Sequence, residues 1–94
     1  MTVARITTLN FKSKEGADQV EETYKTNAPS EFAEAEQLLE VRVDDKTLMF
    51  VSFYADNDSM ERASAARTQR MDLNKDLIDS MDGKTGEVIL NHSN

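Results

Sequence analysis

The feature that most constrains this chain is the order in which its hydrophobic periodicities change. Strand-like alternation from Thr2 to Phe11 gives way to helical spacing from Lys14 to Gln37. Two strand-like stretches follow, joined by Asp44-Asp45-Lys46, then helical spacing from Ser59 to Asp82 and a last strand from Glu87 to Asn91. Read as elements, this is β-α-β-β-α-β, a split βαβ repeat with an antiparallel sheet and an α+β class. With 94 residues and no Pro/Gly/Ser-rich linker, residues 1–94 are expected to form one domain.

Which residues are apolar then suggests a second copy. On the first strand Val3, Leu9 and Phe11 share one face, and Ala4 and Ile6 share the other with Thr8 and Asn10. The third strand is apolar on both sides, with Leu48, Phe50 and Tyr54 against Met49, Val51, Phe53 and Ala55. On the second strand Leu39, Val41 and Val43 alternate with Glu40 and Arg42, as at a half-exposed edge. A hairpin through Asp44 to Thr47 is expected to pair Val43 with Leu48 and Val41 with Phe50, which would put the edge's apolar side on the Leu48, Phe50, Tyr54 face. Helices on one side cover one face only, so the other face calls for a homodimer.

The first helix carries Ala17, Val20, Tyr24 and Ala28 on one face, with Ser13 suited to cap it and Pro29 to stop or kink it. Ser30 to Gln37 is expected to restart as a short helical turn with Phe32 and Ala35 inward. The second helix is expected to open with a capping box from Asp58 and Glu61, and to end at Gly83. Its apolar positions are Met60, Ala63, Ala66, Met71, Leu77, Ile78 and Met81. At about 36 Å it would overrun the roughly 20 Å strands, so a bend is expected between Thr68 and Leu73.

Composition excludes several classes of function. A net charge of -7, with 11 basic residues interspersed among 18 acidic ones, argues against a nucleic-acid partner. No cysteine is present, which removes disulfides, thiol nucleophiles and thiolate metal sites. Neither a leader nor a long apolar run is seen, so no membrane association and a cytoplasmic location are expected. Gly83-Lys84-Thr85 lacks the upstream glycine of a phosphate-binding loop, and His92 stands alone near the end of the sequence, so no metal site is expected.

What remains is a set of polar residues at inward phases. Asn10, Tyr54 and Arg67 are the candidate catalytic group: an amide, a phenol and a permanent cation that could steady an enolate or phenolate. Their expected meeting place is a cavity between helices and sheet, lined by residues such as Ile6, Tyr24 and Met71. The structural alternative is that Asn10 ends a strand, Tyr54 is a core aromatic with a wet tip, and Arg67 snorkels to solvent.

Several segments together resemble the antibiotic biosynthesis monooxygenase-like domains of the dimeric ferredoxin-like α+β barrels. They are Phe11-Lys12-Ser13-Lys14-Glu15-Gly16-Ala17, the acidic first helix, Leu48-Met49-Phe50-Val51-Ser52-Phe53-Tyr54 continuing through Ala55-Asp56-Asn57-Asp58-Ser59-Met60-Glu61-Arg62-Ala63, and Gly86-Glu87-Val88-Ile89. The resemblance implies a ferredoxin-like homodimer whose sheets pack face to face, with a pocket in each subunit. It also implies, for some members, oxidation of quinol-type aromatics by molecular oxygen without a cofactor. The sequence has no tryptophan, which oxygenase members use in the pocket, and no histidine on the second helix, which haem-degrading members use as iron ligand. Haem chemistry is therefore not expected. Two functions follow as expectations: a cofactor-independent monooxygenase acting on a small aromatic or quinone-type compound, or a non-catalytic dimeric ligand-binding or interaction module.

Overall fold

A computed structural model describes residues 1–94. Its elements are β1 (Val3–Phe11), α1 (Lys14–Glu31), β2 (Gln37–Asp44), β3 (Thr47–Tyr54), α2 (Asn57–Arg62), α3 (Ser64–Asn74) and β4 (Ile78–Glu87), with a 3-10 turn at Lys75–Leu77 between α3 and β4. The sheet order is β2-β3-β1-β4 and each neighbouring pair is antiparallel, so the fold is ferredoxin-like α+β with all helices on one face.

That face holds the core. Val3, Leu9 and Phe11 of β1 and Leu48, Phe50 and Tyr54 of β3 are buried against Ala17, Val20, Tyr24 and Ala28 of α1 and Met60 of α2. Helix α1 starts where the Ser13 hydroxyl accepts the Gly16 N–H at 3.0 Å. It runs through Pro29, which sits in the last turn where only one ladder bond is lost, and ends as the Phe32 N–H reaches the Ala28 carbonyl at 2.8 Å. No separate helix restarts at Ser30. Phe32 and Ala35 do pack on the core, and β2 has begun by Gln37.

Three further expectations are corrected. The second helical stretch breaks at Ala63, not between Thr68 and Leu73, and is capped by Asp56, whose carboxylate accepts the Ser59 N–H at 2.8 Å, not by Asp58. It ends at Asn74, and the last strand is Ile78–Glu87 instead of Glu87 to Asn91. Strand β4 is exposed nearly throughout and bears Asp79, Asp82, Gly83 and Gly86. It forms because the free edge of β1 offers a nine-pair ladder from Val3↔Glu87 to Phe11↔Ile78, so tertiary pairing overrides a weak local preference.

The hairpin register is also shifted. Arg42 pairs with Leu48, Val41 with Met49 and Leu39 with Val51, while a bulge at Val43 lets Asp44 meet Thr47. One extra residue moves every side chain of β2 to the opposite face. Leu39 and Val41 therefore join Met49, Val51, Phe53, Ala4 and Ile6 on the face away from the helices. Ile6, Leu39 and Val41 are 40%, 40% and 49% exposed there, so the protomer carries an apolar sheet face that its own helices do not cover.

Candidate functional site

Between α1, α3 and the helix-side face of the sheet lies a cavity in which water-sized molecules can occupy about 60 Å³, with an open mouth. Its floor is Arg5, Thr7 and Leu9 of β1 and Phe50, Ser52 and Tyr54 of β3. Val20, Tyr24 and Phe32 form one wall, and Arg67, Arg70, Met71 and Asn74 of α3 the other. The strand period explains the floor, because Arg5, Thr7 and Leu9 stand opposite Ser52, Phe50 and Leu48 on one face. Residues 67, 70, 71 and 74 are spaced as one stripe of a helix. Tyr24 stacks edge-on against Phe50 at 4.6 Å between ring centroids, which gives the wall a flat aromatic character.

Charge in the cavity is one-sided. Three arginines line it and no carboxylate or histidine does. Arg70 is neutralised by Glu31 at 2.6 Å and lies over the Tyr24 ring, 5.7 Å from its centroid. Arg67 has only a long 3.4 Å contact from Nη2 to the Met60 carbonyl. Arg5 is the least satisfied, since its Nε is buried with no acceptor. An unsatisfied buried donor costs about 1–3 kcal/mol, and more for a charged group. Desolvation, and then repulsion from Arg67, lower the Arg5 pKa from its ordinary value. Gly83 makes room for this arrangement: a Cβ there would lie 2.7 Å from Arg5 Nη2. Burial pushes the Tyr24 phenol above its ordinary range, with the Ser52 hydroxyl pulling the other way.

A partly buried acid stands near Tyr24. Both carboxylate oxygens of Glu40, on the helix side of β2, are shielded without a hydrogen-bond partner. Desolvation, followed by the charge of Glu21, raises the Glu40 pKa to about 7.

The structure separates the three residues singled out in the sequence. Tyr54 and Arg67 both line the cavity. Asn10 does not: it lies on the opposite sheet face at the end of β1, where it accepts from Thr47 Oγ1 at 3.0 Å and donates to Ser80 Oγ at 3.1 Å. The strand period dictates this, because Asn10 shares its parity with Ile6, away from Arg5 and Leu9. Ile6 is likewise on the far face, whereas Tyr24 and Met71 do line the cavity. Arg5, Ser52 and Arg70 were missed. The signal for Arg5 was legible, since it falls between Val3 and Thr7 on the inward face of β1. No group of His, Cys, Asp or Glu side chains is arranged to hold a metal ion.

No model of a known protein family matches the chain, and no curated protein is similar to it in sequence. Its fold is shared by solved structures of the antibiotic biosynthesis monooxygenase-like, dimeric ferredoxin-like type. A dimeric ferredoxin-like protein from an uncultured marine organism superposes with a TM-score of 0.80 at 8% identity, over 99% of this chain and 92% of that one. A candidate antibiotic biosynthesis monooxygenase from Chloroflexus aurantiacus gives 0.78 at 8% identity, covering 99% and 98%. SnoaB, a cofactor-independent oxygenase from Streptomyces nogalater, gives 0.67 at 14% identity, covering 96% and 95%. At these identities the likeness defines the fold. No helix is long and apolar enough to cross a membrane.

Proposed function

We propose that this protein is a homodimeric, cofactor-independent oxygenase acting on a small hydroxyaromatic or quinol compound bound between α1, α3 and the sheet. The observation that carries this reading is the unbalanced charge of the cavity. Arg5 and Arg67 form no ion pair and line an aromatic-walled space. A planar anion entering it would give the two guanidinium groups a counter-charge and relieve the repulsion between them.

Electron-rich anions are also what reaction with dioxygen requires. With the phenol ionised, the ring carbon para to the oxygen donates electrons to O₂ and a C–O bond forms. The O–O bond and that carbon's C–H bond then break. One oxygen stays as the quinone carbonyl, and the other leaves as water with the ring hydrogen and the phenolic hydrogen. The substrate supplies all four electrons; a 1,4-quinol, whose para carbon bears no hydrogen, instead gives two electrons and two protons to O₂, leaving quinone and hydrogen peroxide. Arg67 stabilises the phenolate and the developing peroxide charge. Dimerisation would cover Ile6, Leu39, Val41 and Val51 with a second copy, and the ferredoxin-like protein of shared fold from the marine organism is itself described as dimeric.

The competing reading is a binding module without turnover. It is favoured by the cavity's having no carboxylate or histidine to take the phenolic proton. Oxygen uptake separates the two. With a panel of quinols and 1-naphthols in metal-free, flavin-free buffer, the oxygenase reading expects enzyme-dependent uptake that falls about 10²–10³-fold in Arg67→Ala. No uptake across the panel, or full activity in that variant, would leave the binding module.

A further inference from the structure

We infer that the ligand of this cavity carries a second, permanent anionic group, of carboxylate type, and that Arg5 is the residue that selects it. This rests on the reading that the cavity is the substrate site. The argument is one of charge balance. Of the three arginines at the cavity, Arg70 is already matched by Glu31 at 2.6 Å, so two cations remain without a counter-charge. A hydroxyaromatic, once ionised, offers one negative charge.

The two free arginines also sit on different elements. Arg67 approaches from α3, while Arg5 stands on the sheet floor directly opposite Ser52 in the β1–β3 register. The Arg5 guanidinium leans over Gly83 of β4, on the other side of β1 from Ser52, and presents its planar fork as a surface suited to the two oxygens of a carboxylate. Arg5 Nε is buried without an acceptor, and the other N–H groups of its guanidinium, which forms no ion pair, are the donors such a group would satisfy. By contrast, Arg62 bonds Glu34, and Arg42 bonds Glu21 and Asp44, all within the chain. The bare Gly83 leaves room for the guanidinium, because a Cβ there would lie 2.7 Å from Nη2 and displace it. Arg5 is therefore the specificity residue and Gly83 its positioning residue.

The test is a set of anaerobic binding titrations, so that turnover plays no part. The probes are 2-naphthol with 6-hydroxy-2-naphthoate, and 1-naphthol with 4-hydroxy-1-naphthoate. A charge-assisted contact predicts that at least one of the acids binds the wild-type protein about tenfold or more tightly than its parent naphthol. Arg5→Gln, with folding checked by circular dichroism, is expected to abolish that preference, so that each acid binds no more tightly than its parent naphthol. Gly83→Ala keeps the charge and displaces it, so it should lower the preference without removing the fold. Equal affinities for acid and naphthol in both pairs, or a preference that survives Arg5→Gln, would overturn the proposal. Acid preference without oxygen uptake would refute the oxygenase reading alone. Uptake with no acid preference would refute this inference alone.

Discussion

Replacing Glu40 by glutamine tests whether an unpaired carboxylate really lies beneath α1. Glu21, Glu22 and Lys25 of α1 and Arg70 of α3 are the charges that bear on it, and none forms a hydrogen bond to it. Its folded pKa of about 7 exceeds the ordinary value of 4.5. Below about pH 4.5 the group is protonated in both folded and unfolded chains and contributes no pH-dependent penalty. Between about pH 4.5 and 7 the unfolded chain releases its proton and the folded one retains it, so stability falls as pH rises. Above about pH 7 the penalty is complete. The ceiling is about 3.4 kcal/mol at 1.36 kcal/mol per pH unit. Because the residue as a whole is only partly buried, solvent screening reduces this to roughly 1–1.5 kcal/mol.

Glu40→Gln removes that titration and adds a pH-independent offset for its own amide, so the pH dependence is the quantity to read. Melting curves at fixed protein concentration should show the variant gaining about 5–10 °C on the wild type between pH 4 and pH 8, at about 4–8 °C per kcal/mol for a domain of this size. A difference in melting temperature that stays constant across that range would mean the carboxylate is solvated or paired, and the reasoning would fail.

Val51→Asp should split the proposed homodimer, read by sedimentation at micromolar concentration; a dimer of unchanged affinity would refute it. In the core, Leu48 is 0% exposed, and Leu48→Ala should cost about 2–5 kcal/mol in chemical denaturation, a value under 1 kcal/mol meaning the site is poorly packed. Asp56→Ala removes the cap that accepts the Ser59 N–H and should cost about 1 kcal/mol. An unchanged unfolding midpoint would show that α2 does not depend on that cap.

The legible part of the fold was set by strong periodicity: β1, α1 and β3 were readable because their apolar residues recur at strand or helix spacing. Strand β4 was not, because Asp79, Asp82, Gly83 and Gly86 carry no strand pattern and pairing with β1 supplies what the local sequence lacks. The bulge at Val43 was equally hidden. An alternating strand reads the same in either register, and the choice decides whether Leu39 and Val41 meet the helices or the open face. At the site, Tyr54 and Arg67 were accessible from phase alone. Asn10 was placed with them by residue type, although its parity with Ile6 already assigned it to the far face. Arg5 shares the inward parity of Val3 and Thr7, although its charge alone suggests a solvated position until Gly83 is seen beside it.

The central claim, that the aromatic-walled cavity with two unpaired arginines is where this protein meets its ligand, is tested most directly by mapping backbone amide shifts during titration with 6-hydroxy-2-naphthoate. The account predicts saturable shifts centred on Arg5, Ser52, Tyr54, Arg67 and Met71, with the far-face residues Ile6, Val41 and Val51 unmoved. Shifts centred on that far face, or none at all, would contradict it.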